Sequence, residues 1–453
     1  MSLLFFSDLF SGKTVRKHYR FYSQTQWYDQ EQMRGFQKAK LVRLLKHCRQ
    51  NLPYYANVMK NLGMEPEDIK EPGDIVCFPV LTKELILEHK DEFVPHNLKD
   101  IKGVKSGFTG GTTGGAFPKR NDAATRSSSW GAYQRFYDWM GIGRNDEKVD
   151  LMGGYAQSKK LLVRLKGQML DKVHHSHSFD TYETFERNFS RLVQLLQTRD
   201  IKLIRAYTQY LHNMAVEMRN RGLKFQLKAI MTTAEPLFEE HRALFREVFA
   251  CETFDQYGCG EIGSIAFECE HHNGLHVTEE RVFLEVGKNK ELILTDLDNF
   301  AMPLIRYMNG DEAELDEQAC TCGRKSPLIK WIKGRTIDYL TGPEGQSLHS
   351  SYLWKIIYES GIAPRRNLQK FQALQTSSEH IKFRYVGQKF DADEEALLEK
   401  LIREKLGMVT LVFSNESDIE NSSSGKYMPV VNQTLQSSFK PEPETDIGKK
   451  SEL

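Results

Sequence analysis

The chain has 453 residues, 40% hydrophobic and 27% charged, and 62 basic side chains against 61 acidic ones leave a net charge of +1. That length exceeds what one hydrophobic core fills, so two or three domains are expected. The near balance of charge offers neither a nucleic acid nor a membrane surface the basic face it would need as a main partner.

Residues 1–10 are apolar but short, without a basic leader or a small-residue cleavage site, so no signal peptide is expected there. No apolar run reaches the ~18 residues of a membrane-spanning helix. The cysteines at 48, 77, 251, 259, 269, 320 and 322 are odd in number and sparse. That usage predicts a reducing, cytoplasmic setting rather than a disulfide framework.

Apolar spacing predicts helices over 26–50, 54–62 and 82–90, the last opening at Thr82. A glycine- and threonine-rich stretch follows at 106–120, then a helix over 122–140 with Asn121 or Asp122 as its N-cap. Strands over 201–207, 227–233 and 252–257 alternate with helices over 208–221 and 236–249. This alternation predicts an α/β fold whose large domain is built on mainly parallel sheets, with ligands at the carboxyl ends of the strands. Residues 282–296 read as a hairpin turning at Gly287-Lys288-Asn289. Composition changes near 334–345, where a hinge is placed. Beyond it, strands over 381–386 and 408–413 and a helix over 393–406 predict a small α+β domain. The expected division is 1–337, 338–438 and a polar, disordered tail from 439.

The stretch Thr109-Gly110-Gly111-Thr112-Thr113-Gly114-Gly115 is a run of exposed N–H groups and hydroxyls, closed by Pro118-Lys119. Such a run is an anion nest, and Lys119 adds a point charge suited to phosphate. It matches neither G-x-x-x-x-G-K-[ST] nor G-x-G-x-x-G in context. The pattern resembles the phosphate loop of the adenylate-forming enzymes, the acyl-CoA ligase superfamily, and further segments resemble that family's motifs in the same order. Thr232-Thr233-Ala234-Glu235-Pro236 resembles the segment lining adenine, and Gln256-Tyr257-Gly258-Cys259-Gly260-Glu261 resembles Tyr-Gly-x-Thr-Glu. The resemblance implies that Tyr257 and Gly258 lie by the nucleotide and that Glu261 holds Mg²⁺. Gly260 stands where the family has threonine and removes one hydroxyl donor. Pro303 to Asp311 resembles the segment whose aspartate accepts both ribose hydroxyls, a role for Asp311. The bland alternative pairs this acid with Arg306. Gly334-Arg335-Thr336-Ile337-Asp338 resembles the hinge motif, with Arg335 on ribose or phosphate and Asp338 as pivot. Ser424-Gly425-Lys426 resembles the loop that delivers a catalytic lysine from a mobile small domain.

The likeness is greatest to the phenylacetate–CoA ligase branch and its relatives from capsular polysaccharide loci. It rests on Ala301-x-Pro303-Leu304-Ile305-Arg306-Tyr307, Cys320-x-Cys322-Gly323-Arg324 and Gly334-Arg335. That branch also suggests structural zinc on Cys269, His276, Cys320 and Cys322, with His271 and His272 competing for the histidine role. The run His174-His175-Ser176-His177 has no carboxylate or cysteine at ligand spacing and is read as a solvated or substrate-facing loop. Cys259 has no base placed beside it and is not read as a nucleophile. The Met152-Gly153-Gly154-Tyr155 turn could line the acid pocket.

The implied activity is ATP-dependent activation of a carboxylic acid to acyl-AMP with release of pyrophosphate. Acyl transfer to a thiol such as coenzyme A follows. The implied catalytic groups are Lys426, Glu261 and Lys119, and the cofactors ATP, Mg²⁺, zinc and coenzyme A. One rival passes the acyl group to a sugar, an amine or a carrier protein; another is a nucleotide-binding zinc protein without catalysis. The acid, the acceptor and the oligomeric state, a dimer among the options, are left open.

Overall fold

The computed structural model describes residues 14–109, 117–152, 161–179, 185–234, 237–316, 318–333, 339–349, 352–353, 356–357, 360–368, 370–419 and 429–436. These divide into a large unit ending at Lys333 and a small one starting at Tyr339. In the large unit the helices are α1 Val15–Thr25, α2 Gln30–Asn51, α3 Pro53–Leu62, α4 Lys83–Glu88, α5 Ala123–Trp139, α6 Leu161–His174, α7 Phe185–Thr198, α8 Thr208–Asn220 and α9 Glu239–Phe249. Strands β1 Lys105–Thr109 and β2 Phe117–Asn121 form a separate antiparallel ribbon. The main sheet holds β3 Glu147–Leu151, β4 Ser176–Phe179, β5 Ile201–Tyr207, β6 Ala229–Thr233, β7 Glu252–Cys259, β8 Gly263–Glu268, β9 Leu275–Val277, β10 Val282–Val286, β11 Glu291–Asp296, β12 Tyr307–Asp316 and β13 Leu328–Lys333.

Its order is β10-β11-β12-β13-β9-β8-β7-β6-β5-β3-β4. Strands β4, β3, β5, β6 and β7 run parallel, as the strand–helix alternation predicts. From β7 onward the pairing is antiparallel. The hairpin expected at 282–296 is β10–β11. The parallel half is covered on both faces. Ile204, Ala206 and Ile230 pack under α7, α8 and α9, while Leu203, Met231 and Phe254 pack under α5.

Local chemistry sets the helix ends. Asp29 and Gln32 form a capping box at the start of α2, with bonds of 2.8 and 3.1 Å. Pro53 ends α2 and starts α3, because it lacks an N–H yet suits the first helical turn. Thr82 caps α4 through the Leu85 N–H, and Asp122 caps α5 through the Thr125 N–H at 2.8 Å. Helix α1 lies against α5 so closely that a Cβ on Gly131 would stand 2.6 Å from His18 Cβ. Beneath the N-terminal helices runs a buried polar network. Lys40 pairs with Asp298 at 2.6 Å and Arg135 with Glu280 at 2.6 Å. The wholly buried Arg281 donates to Ser128, Ser264 and the Ile262 carbonyl.

The small unit is an α/β domain with sheet order β18-β17-β16-β19, made of β16 Lys370–Ser377, β17 His380–Val386, β18 Thr410–Asn415 and β19 Val430–Asn432. Helix α11, Ala392–Leu406, buries Leu398, Ile402 and Leu406. It is preceded by hairpin β14 Tyr339–Thr341 and β15 Ser347–His349 and by the short α10, Ile362–Arg365; α12, Gln433–Gln436, closes it. The α/β class with one large and one small sheet domain is the expected one.

Candidate active site

The turn between β7 and β8 is three residues long, Gly260-Glu261-Ile262, because Cys259 pairs with Gly263. Only glycine fits at 258, where a Cβ would meet the Gly263 carbonyl. This tight hairpin fixes Glu261 at its tip, where its carboxylate is 3.0 Å from the Lys83 ammonium and both side chains are under 10% exposed. Lys83 reaches it because Leu81 pairs with β12, exchanging N–H···O bonds with Arg306 and Met308 at 2.8 and 2.9 Å. Lys83 carries no sequence motif, and nothing in the chain order signals its approach to Glu261. On the β1–β2 ribbon, Lys119 opposes Gly107 and extends its ammonium to within 3.5 Å of the Gly260 carbonyl. The strand part of the expected phosphate segment, through Thr109, is thus the first arm of this ribbon. Gly110, Gly111, Thr112, Thr113 and Gly114 lie outside the described residues.

Asp311 and Tyr257, 54 positions apart, meet in a 2.5 Å hydrogen bond donated by the phenol. Asn309 donates to both the Tyr257 hydroxyl, at 2.6 Å, and Asp311 Oδ2, at 2.8 Å. Burial, and then the Asp311 charge, hold the Tyr257 phenol well above its usual range, so it stays a neutral donor. Asp311 Oδ1 accepts from no described residue. The bland alternative for Asp311 is corrected by the geometry. Arg306 turns away with φ +55°, grips Glu285 with two bonds of 3.1 Å, and donates to the carbonyls of Val76 and Phe78. Ala234 leaves β6 with φ +71°. Glu235, Pro236, Arg335, Asp338 and Lys426 lie outside the described residues, as do residues 153–155 of the Met152 turn and the tail from 439.

Burial, then Glu261, push the Cys259 thiol far up, which suits its exclusion as a nucleophile. A carboxylate does stand beside the histidine run. Neighbouring strand β3 brings Glu147 to 3.1 Å from His177 Nε2, a through-space approach that spacing could not reveal.

The knuckle between β8 and β13 gathers Cys269, His276, Cys320 and Cys322, whose ligand atoms all lie within 4.8 Å of one another. Cys269 Sγ and Cys320 Sγ are 3.7 Å apart, and Cys322 Sγ is 3.4 Å from His276 Nε2. Four ligands placed tetrahedrally at ~2.3 Å (sulfur) and ~2.0 Å (nitrogen) from one ion would stand about 3.5–3.8 Å apart, so the set fits zinc. Its surroundings fit as well. His276 Nδ1 lies 2.9 Å from Ser326 Oγ, which leaves Nε2 for an ion, and the His271 N–H points at Cys269 Sγ. Burial pushes the His276 imidazole down to about 4, so it is neutral at pH 7. The competing histidines turn elsewhere, His271 to Thr321 and His272 to Glu268.

Among the described residues, no helix is long and apolar enough to cross a membrane. No protein-family model matches the chain. The chain is 27% identical over 338 residues to a phenylacetate–coenzyme A ligase of Thermus thermophilus, covering 68% of this chain and 72% of that one. It is 25% identical over 320 residues to Protein CapK of Staphylococcus aureus, covering 68% and 69%. In structure it is similar to 2-hydroxyisobutyryl-CoA ligase in the thioesterification state, with TM-score 0.60, 18% identity, and 91% and 94% of the two chains covered. That likeness gives the fold. The chain is a distant relative of the phenylacetate–CoA ligase and CapK branch of the adenylate-forming ligases, enzymes of the acyl-CoA ligase type.

Proposed function

We propose that the protein activates a carboxylic acid with ATP and passes the acyl group to a thiol such as coenzyme A. In the first step the acid's carboxylate oxygen attacks the α-phosphorus, the bond to the bridging oxygen breaks, and pyrophosphate leaves. In the second the thiolate attacks the acyl carbon and AMP leaves. The reading is carried by the Tyr257–Asp311 contact. It gives a carboxylate held by neutral donors rather than by a cation, with Oδ1 left to accept from ribose hydroxyls.

Lys119 is the cation for the polyphosphate, near the backbone of the Glu261 turn. Glu261 would hold Mg²⁺, which neutralises phosphate charge when bound; Lys83 keeps that carboxylate in place. The resemblance assigns Lys426 to the charge that builds on the α-phosphate, Arg335 to the nucleotide and Asp338 to a hinge. Cys269, His276, Cys320 and Cys322 hold one structural zinc, with no open position for chemistry. The free cysteines suit a reducing compartment.

Pyrophosphate release with a panel of carboxylic acids tests the reading. Release that depends on one acid class supports it, whereas ATP binding without release for any acid leaves a nucleotide-binding protein in its place. Adding coenzyme A to the same assay names the acceptor, against a sugar, an amine or a carrier thiol. Asp311→Ala should weaken ATP binding roughly 10- to 100-fold, the ~1.5–3 kcal/mol of hydrogen bonds to a charged group. Unchanged affinity, measured by calorimetry on the folded variant, returns Asp311 to a structural role.

A further inference from the structure

The ribose and phosphate assignments leave one polar cluster unused, on the α5 face of the sheet at the carboxyl ends of β6 and β7. Its centre is Gln256, 4% exposed. Gln256 Oε1 accepts two hydrogen bonds, from Thr233 Oγ1 at 2.6 Å and from the Tyr133 hydroxyl at 3.1 Å. These two bonds come from β6 and α5 and clamp the carboxamide. Its other end, Nε2, lies beside Gly258, where a Cβ would stand 2.9 Å from it. Among the described residues Nε2 has no acceptor. Two N–H bonds are therefore held in place on a side chain that is itself largely buried, one step along β7 from the Tyr257 that meets Asp311.

The surroundings say what kind of group would pair with them. Tyr133 lies 5.4 Å from the half-exposed Trp130, ring centre to ring centre. Arg205 sits 5.7 Å from the Trp130 ring and is already neutralised by Asp150 at 2.5 Å and bound to the Tyr137 hydroxyl. A second carboxylate or a phosphate would find no free positive charge among the described residues of this face. A neutral oxygen or nitrogen acceptor on an apolar or aromatic body finds both a donor and a wall.

We propose that Gln256 is a specificity-determining residue and that its side-chain N–H donates to a neutral acceptor carried by the acid beyond its reacting carboxylate. This inference rests on the acid-activating reading above. A site built around a buried donor rejects the analogue that lacks the acceptor, because the donor is then left unpaired; such discrimination exceeds what hydrocarbon shape alone gives.

The test uses shape-matched acid pairs, 4-methoxyphenylacetate against 4-ethylphenylacetate and 4-oxopentanoate against 4-methylpentanoate, with pyrophosphate release as the readout. In the parent enzyme the polar member of at least one pair should have a kcat/KM about 100-fold or more above its hydrocarbon partner. In Gln256→Leu that ratio should fall toward one. Thr233→Val, which removes half of the clamp, should lower it partway and serves if Gln256→Leu does not fold. Equal rates within both pairs for the parent, or a ratio unmoved in the folded variants, overturns the inference and leaves acid activation standing. No pyrophosphate with any acid, while ATP still binds, overturns both.

Discussion

Asp296 is wholly buried at the end of β11, with Oδ1 accepting the Asp298 N–H at 3.0 Å and Oδ2 meeting no donor among the described residues. Burial pushes its carboxyl up to about 7, Arg281 opposing and Asp298 adding. In the unfolded chain it would ionise near pH 4. Between about pH 4 and pH 7 the unfolded state therefore gives up this proton while the folded state keeps it, and stability falls as pH rises through that window. Asp296→Asn should remove the fall. Urea titrations should show variant and parent alike near pH 4, with the variant ahead by up to a few kcal/mol above pH 8; a gap that does not change with pH would refute the assignment. Lys83 makes the complementary case. Lys83→Met leaves the Glu261 carboxylate buried without its ammonium and should cost ~3–5 kcal/mol by denaturant unfolding. Adding Glu261→Gln should recover much of that stability while adenylation stays lost. A single-variant loss below ~1 kcal/mol would mean that Glu261 does not depend on Lys83.

The helix expected from residue 26 begins instead at Gln30, behind its cap Asp29, but the Thr82 and Asp122 starts and the parallel strands of the α/β half were legible in the sequence and follow from local chemistry. Helix α1 was not. It lies ahead of the first helix read from the sequence; of its eleven residues Val15, Tyr22 and Thr25 are buried, and it docks on α5 at Gly131. That docking makes Gly131→Ala a sharp test. The added methyl meets His18 Cβ at 2.6 Å and the Tyr19 amide at 3.0 Å, and should cost ~1–3 kcal/mol, read as a lower urea midpoint; an unchanged midpoint would mean that α1 is not held against α5. Of the antiparallel half of the sheet, the β10–β11 hairpin was legible and the rest was hidden. Strand β12 carries Asn309, Asp311, Glu312 and Glu314, so it reads as a polar motif, and its ladder shifts register at Glu314/Leu315. At the site, Tyr257, Asp311, Glu261 and Lys119 were legible as motif letters. Lys83, Asn309 and the Gln256 clamp were not, because their roles arise from contacts made across the fold.

At the scale of the whole large unit, the knuckle of Cys269, His276, Cys320 and Cys322 joins the β8–β9 connection to the β12–β13 connection. Purified protein should contain about one zinc per chain, and Cys320→Ser should lose metal and thermal stability together; a metal-free protein of full stability would return the four residues to ordinary packing. The polar network under the N-terminal helices bears on a different matter, the order in which the chain leaves the ribosome. Thr25 and Lys40 bond Glu280, Gln37 bonds the Glu279 carbonyl, and Tyr55 donates to the Pro303 carbonyl, across sequence separations of 240 to 255 residues. At ~5–20 residues per second, α2 would wait roughly 12–50 s for its partners to be made. Until then its stripe of Met33, Leu41, Leu44, Leu45 and Cys48 has no sheet to cover. Nascent chains arrested near residue 270 should therefore be cut within α2 by added protease, and chains arrested near 380 should resist; equal resistance would mean that the N-terminal helices are protected without the late strands. This half-made interval is when the protein most needs a chaperone.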